Sequence, residues 1–463
     1  MWPAAVLCCM AVSVALISAT VTASPDAQPG LATGPGWRAT QDVRGPVARG
    51  PMADAAWLSL GSVPGKGTRW EEMSRTALLD LHQLCRPSGA VVAGAGGSWD
   101  YAWPRDTAFV AVALARTGHQ SEALQALRFL QRVQLADGGF EARYLLDGSG
   151  PPDDRARQSD GAGWALWAAW EVSRSSGEVG ASASLRLLLD HATGFALATT
   201  RDGRQLPPPS PDYWEVGVRR TSLGTVAPLL AGLQASQKMY DALGEHALAQ
   251  RSGLAESRLR AIVGDRFGDR WERFGSGGFG AGGGLDASIT FLMPPFAQSP
   301  SSPVVAAWMR YQSEALRPAG GLAPGVQWKR DGISWTPETA LVTYTAAMSG
   351  RPELSAHWMD WLSDHRTRWG SVPEKVLATG APAGPAPLAW TAALVVLTTA
   401  ELDTDGGSLS KVLIPVRAAQ PAGEAAGSTS STRIPPASLG WMKFTRLSEV
   451  PRRGASNNRR SPR

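Results

Sequence analysis

Cysteine is almost absent, with three in 463 residues. Cys8 and Cys9 fall in an N-terminal segment expected to be removed, which would leave Cys85 alone and excludes a disulfide framework. Histidine is also scarce: six residues, at 82, 119, 191, 246, 357 and 365, form no HExxH pair and no tight cluster, so a zinc hydrolase is unsupported. His357 and His365 share a helical segment with Trp358 and Trp361 and read as core-edge or solvated side chains. A Walker A loop, a dinucleotide fingerprint and a GxSxG in a strand-to-helix setting are all missing. The GGFGAGGG run at 277–284 lacks the flanking strand that phosphate binding needs and reads as a mobile loop. No cofactor or metal is expected for chemistry. Beyond residue 21 no apolar run approaches 18 residues, so no later segment is expected to span a bilayer.

What is present is tryptophan: 19, beside 6 Tyr and 10 Phe, with 51 Gly and 34 Pro. A chain that is 43% hydrophobic can bury one large core or two ordinary ones, and the glycine and proline call for many irregular loops. The formal charge of +5 is uneven. Residues 411–463 hold ten Lys/Arg against two Asp/Glu, a net +8, which leaves −3 for residues 1–410. The basic part, ending PRRGASNNRRSPR, is rich in Ser, Asn, Gly and Pro and reads as a solvated, disordered extension rather than a specific nucleic-acid surface.

The run from Ala4 to Val21 carries no charge and is followed by small residues around Ala23, as in a secretory signal peptide, here 1–23. It lacks the usual Lys or Arg in front, and it is long enough for an uncleaved signal anchor. Secretion or retention at the extracellular surface of a membrane is therefore expected. Residues 24–55 read as a flexible linker, 56–405 as the compact body and 406–463 as the basic tail.

Within the body the apolar period is helical. Stretches such as 69–84, 106–118, 121–134, 163–173, 222–243 and 337–349 place apolar residues three and four apart, and eleven such candidates occur in all. Twelve helices in a closed double ring fit this count; a solenoid or a bundle with long insertions would fit it too. The loops favour the ring, because GGSWDYAWPRD, PPPSPDYWEV and their like are longer and more aromatic than simple connections.

Carboxylates and arginines recur beside tryptophan in these loops. In W99-D-Y-A-W103-P-R105-D106, Asp106 and Arg105 either cap a helix and pair with each other or grip sugar hydroxyls, with Trp103 as a flat apolar wall. In RARQSDGAGW, Arg157 and Asp160 precede another helix, and Asp160 serves equally well as a plain N-cap. In PDYWEV, Glu215 follows Trp214; an apolar wall would keep it protonated as a general acid requires, and a first-turn glutamate is the plain alternative. Glu374 in SVPEKV would, if ionised, deprotonate water.

Taken together the motifs resemble glycoside hydrolase family 15, the glucoamylase-type enzymes. YAWPRDTAFVA at 101–111, LADGGFEARYLLDG at 135–148, RQSDGAGWALWA at 157–168, PDYWEV at 211–216, GGGLDASITFLMPP at 282–295 and PEKVLATGAPAGPAPLAWTAA at 373–393 occur in the family's order. The resemblance implies an all-α (α/α)6 barrel and inverting hydrolysis of α-glucosidic bonds from a non-reducing end, releasing β-glucose. It places Glu215 as general acid and Glu374 as general base, with Arg105, Asp106 and Trp103 around the terminal glucose. Trp214 falls beside the acid, and Arg157 and Asp160 on a substrate loop where the match is looser. Asp286 falls in the DAS motif, with a partly structural role. The sequence departs at Val216, where many relatives carry a second carboxylate, and in GISWTPET, where Trp335 is the best retained position. Glucodextranase-like or trehalase-like specificity, or a sugar-binding relative without turnover, remains open. An α-linked glucan is the expected partner, and the protein is expected to be a monomer.

Overall fold

The eleven periodic stretches form helices whose ends fall within about four residues of the expected ones. The computed structural model describes residues 51–176, 183–275 and 283–404. In chain order the helices are α1 (Pro51–Leu58), α2 (Glu71–Leu84), α3 (Pro104–Arg116), α4 (Gln120–Val133), α5 (Asp160–Ser176), α6 (Arg186–Thr199), α7 (Leu223–Ala242), α8 (His246–Phe267), α9 (Ser302–Glu314), α10 (Thr336–Met348), α11 (Pro352–Asp364) and α12 (Ala389–Thr404). The signal peptide, the linker up to residue 50, the tail at 406–463 and most of the 277–284 glycine run lie outside the described residues. Helix α1 begins at Pro51, inside the stretch expected to be linker, and Trp57 anchors it between the rings of His82 and His119 at 4.0 and 3.8 Å.

Burial divides the helices into two layers. Every residue of α3 from Pro104 to Ala115, and of α10 from Thr336 to Ala347, is buried, as an inner helix covered on all sides must be. Helix α4, by contrast, buries Ala123, Ala126, Leu127, Leu130 and Val133 at helical spacing and leaves its other face to solvent. The inner members touch in a circuit: α3 meets α5, α5 meets α7, α7 meets the 3-10 helix Ala287–Leu292, that helix meets α10, α10 meets α12, and α12 returns to α3. Helices α2, α4, α6, α8, α9 and α11 pack outside. This is an (α/α)6 barrel. Its twelfth member is the short 3-10 helix rather than α1.

Aromatic rings fill the centre. Trp164 lies 5.2 Å from Phe109, 4.8 Å from Phe291 and 5.3 Å from Phe296, tilted or edge-on as ring quadrupoles prefer. Inner helices α5 and α7 approach so closely that a Cβ on Gly163 would lie 2.2 Å from the Pro228 carbonyl oxygen. Each inner helix is entered from the end of the barrel that carries the loops singled out above. A small antiparallel sheet completes that end: β1 (Ser334–Trp335) pairs with β2 (Lys375–Val376), which pairs with β3 (Pro382–Ala383).

Gly163→Ala should therefore force α5 and α7 apart and cost roughly 1–3 kcal/mol, read as a lowered thermal unfolding midpoint. Gly194→Ala in α6, where an added Cβ meets nothing within 4 Å, should instead be neutral or stabilise by about 0.5–1 kcal/mol.

Candidate active site

The loops before α3, α7, α10 and α12 enclose a pocket of about 440 Å³, mouth included. Trp99, Trp103, Tyr213, Trp335 and Trp390 form its walls, and Arg105, Asp106, Glu215, Glu338 and Glu374 bring charge into it.

Glu374 is placed by backbone pairing. Its carbonyl accepts from the Thr336 N–H at 3.0 Å, its own N–H donates to the Pro385 carbonyl at 2.9 Å, and Lys375 stands opposite Trp335 in the sheet register. The Lys375 Nζ lies 2.9 Å from Glu374 Oε2 and 4.4 Å from the Trp335 ring centre. Burial pushes the Glu374 carboxyl up, Lys375 works against that shift, and the charge of Glu215 adds to it. Gly384, at φ +75, leaves room for this carboxylate; a Cβ there would lie 2.7 Å from Glu374 Oε2.

Glu215 comes from a strained turn. Its φ is 54, a left-handed value uncommon for a side chain of this size. Asp212 holds the turn: its Oδ1 accepts from the Trp214 N–H at 3.0 Å, and its carbonyl accepts from the Glu215 N–H at 2.8 Å. Asp212 in turn takes a hydrogen bond of 2.5 Å from Arg273, which is 1% exposed and donates to Asp286 at 2.7 Å. Asp286 caps the 3-10 helix through the Ser288 N–H. One buried guanidinium thus ties the Glu215 turn to an inner member of the barrel, which gives the DAS motif a structural role.

Two expectations about this turn need correction. Tyr213 and Glu215 enter the pocket, whereas Trp214 turns the other way. Its ring covers the Arg273 guanidinium at 3.9 Å and, with Val216, lines a neighbouring cavity. Nor does an apolar wall alone face Glu215. Arg155 Nη1 bonds its Oε2 at 2.7 Å and Arg105 Nη2 lies 3.8 Å from its Oε1.

Arg105 is 6% exposed and serves four partners. Its guanidinium lies 3.3 Å from Gln158 Oε1, 3.5 Å from Asp160, 3.7 Å from Asp106 and 3.8 Å from Glu215, and over the Trp390 ring at 5.0 Å. Asp106 lines the pocket, and burial pushes its carboxyl up to about 6 against the pull of Arg105. Asp160, raised to about 6 by the same cause, sits behind Arg105 and accepts from the Trp164 indole at 3.2 Å, so it positions Arg105 and does not line the pocket. Arg157 is also displaced from its expected place. Its side chain is 55% exposed and held at the surface by Asp137 and Glu141.

The arginine of this loop that reaches the pocket region is Arg155, held in turn by Asp153 at 3.1 Å. Sequence reading missed it, along with Glu338, Tyr213, Trp99 and Trp390 as lining residues. Trp99, Tyr213 and Trp390 lay within motifs already singled out, which was the available signal.

No family model matches the chain. An uncharacterized glycosyl hydrolase of Methanocaldococcus jannaschii is 30% identical over 98 residues, 21% of this chain; the match spans only 16% of that relative's length. Solved structures align over far more. A wild-type glycosidase superposes with a TM-score of 0.61 at 19% identity, covering 77% of this chain and 99% of its own. Glucoamylase from Saccharomycopsis fibuligera superposes at 0.58 with 13% identity, covering 81% and 99%. A bacterial glucoamylase complexed with acarbose superposes at 0.58 with 16% identity, covering 73% and 55%. The shared feature is the fold.

Arg273→Met should leave Asp212 and Asp286 buried without their common partner. A loss of about 3–5 kcal/mol is expected on chemical unfolding, and a change within experimental error would remove Arg273 as the tie that holds the turn.

Proposed function

We propose that the protein is an exo-acting, inverting glycoside hydrolase that releases β-glucose from the non-reducing ends of α-glucans or α-glucosides. One observation carries the reading: Glu215 and Glu374, from loops far apart in the chain, line the same aromatic-walled pocket with Arg105 and Asp106. The ordered motifs that resemble glycoside hydrolase family 15 support it, as does the barrel shared with glucoamylases.

In this reading, Arg105 and Asp106 bind hydroxyls of the terminal sugar, and Trp103 and Trp335 pack on its faces. Glu215 protonates the departing glycosidic oxygen. Glu374 takes a proton from water on the opposite side of the ring, as inversion with carboxyl groups about 6.5–9.5 Å apart requires. Lys375 favours the ionised form of Glu374 that a base needs. The acid role requires Arg155 to release Glu215 when the glycosidic oxygen arrives, and Asp153 keeps the guanidinium partnered when it does. Val216 faces the neighbouring cavity and supplies no charge to the leaving side, so linkage preference rests on other groups there. With the apolar run at 4–21, export to the cell exterior or its surface is part of the proposal.

The pairing of Glu215 with Arg155 favours a second reading, a sugar-binding protein without turnover. Maltose, maltooligosaccharides, isomaltooligosaccharides, dextran and trehalose separate the two. The hydrolase reading expects glucose release from at least one, with kcat lowered about 10²–10⁴-fold by Glu215→Gln and by Glu374→Gln. Binding without release would support the second reading, and an unchanged rate in either variant would remove the role assigned to that residue.

A further inference from the structure

Glu338 is a third glutamate in the pocket, and the acid–base scheme does not use it. It stands in the first turn of α10, three residues after Trp335. It is 3% exposed, and its Oε2 is buried without a hydrogen-bond partner. Unpartnered indole N–H groups also occur deep in the packing, at Trp167 and Trp308, so those atoms alone would say little. A buried carboxyl oxygen of Asp80 shares the feature away from the pocket, so what sets Glu338 apart is its place in the pocket wall. No ion pair reaches Glu338 among the described residues, although Glu215 has two and Glu374 one. A buried polar group costs free energy unless something satisfies it, and here the side chain lines the pocket in which a ligand would do so.

We propose that Glu338 is a substrate-binding residue that grips a hydroxyl of the terminal sugar unit and thereby helps set which sugar the pocket accepts. The inference rests on the hydrolase reading for its substrate class. Its basis is the unpartnered, buried Oε2 in the pocket wall, and the protonation state sets what that carboxyl offers a ligand. Burial pushes the Glu338 carboxyl up to about 8, its own backbone N–H works against that shift, and the charge of Glu374 adds to it. The other groups acting on it are Arg105 from α3, Asp286 at the cap of the 3-10 helix and Tyr311 from α9, with Lys375 paired to Glu374 alongside. Below about pH 8 the group is neutral, so it offers one O–H donor and one carbonyl acceptor to a hydroxyl. As pH rises through that value the donor is lost and a second negative charge develops beside Glu374. Substrate binding should weaken on the alkaline side for this reason, whereas Asp106 and Asp160, both near 6, titrate on the acid side.

The test is the pH dependence of KM and kcat for p-nitrophenyl α-glucoside, from pH 5 to 9.5, on the full chain and on Glu338→Gln and Glu338→Leu. Calorimetric titration with glucose at the same pH values gives a second readout. In the wild type, KM should rise by up to about tenfold per pH unit above pH 8 with kcat little changed. Glu338→Gln keeps a neutral donor, so its KM should stay within about threefold of wild type at pH 6 and lose the alkaline rise. Glu338→Leu should raise KM at least tenfold below pH 8 and show no alkaline rise; if it does not fold, the near-isosteric glutamine variant still decides the question. A glutamine variant that keeps the alkaline rise overturns the role of Glu338 and leaves the hydrolase reading standing. No hydrolysis, with glucose affinity that falls above pH 8 in wild type but not in Glu338→Gln, overturns the hydrolase reading and supports the role of Glu338. No hydrolysis together with glucose binding that is absent or indifferent to pH in the wild type overturns both, whereas hydrolysis with a wild-type KM indifferent to pH above 8 overturns only the role of Glu338.

Discussion

Closure of the inner ring is the constraint from which the site follows. Each inner member is flanked by two neighbours in the circuit and backed by outer helices, so every residue from Pro104 to Ala115 and from Thr336 to Ala347 is buried. Contact this close selects small side chains. Gly163 against Pro228 and Gly232 against Gly163 mark where α5 and α7 meet almost backbone to backbone. Because the inner helices are entered from one end, their preceding loops converge there, and residues as distant as Arg105 and Trp390 face one pocket.

That convergence creates an electrostatic problem. Asp106, Asp160, Glu215, Glu338 and Glu374 are all brought out of water in one region. Arg105 answers three of these carboxylates, Arg155 shares Glu215, and Lys375 answers Glu374. Among the described residues no ion pair reaches Glu338; Arg105 acts on it without pairing, and burial holds it neutral below about pH 8. Burial raises the carboxyls of Asp106, Asp160, Glu338 and Glu374 alike, and what differs is the cation set against it: Arg105 for the two aspartates, Lys375 for Glu374, and no ion-pairing group for Glu338 among the described residues. The Arg273 bridge is the structural counterpart. It neutralises two buried aspartates and holds the left-handed turn that presents Glu215.

Most of the barrel could be read from the apolar period, because long helices repeat it often enough to be recognised. The 3-10 helix Ala287–Leu292 spans six residues and β1 to β3 two residues each, too short to show any period. Glu215 and Glu374 were visible through their motifs. Their company was harder to see: Arg155 and Arg157 are equivalent in R-A-R-Q, and only the acidic partners Asp137 and Glu141 decide which one stays at the surface. Trp214 looked like a pocket wall because it adjoins Glu215, but neighbouring side chains in a turn point to different sides. Glu338 in T-P-E-T looks like any first-turn glutamate, and its burial in the pocket wall, without an ion pair among the described residues, exists only in three dimensions.

The central claim is that Glu215 and Glu374 act from opposite faces of one sugar, with water between the ring and Glu374. The anomer first released reports this directly. Proton NMR recorded during the first turnovers on maltose, before mutarotation, should show β-glucose appearing ahead of α-glucose. Initial release of α-glucose would contradict the arrangement, because it requires retention and a different division of labour between the two carboxylates.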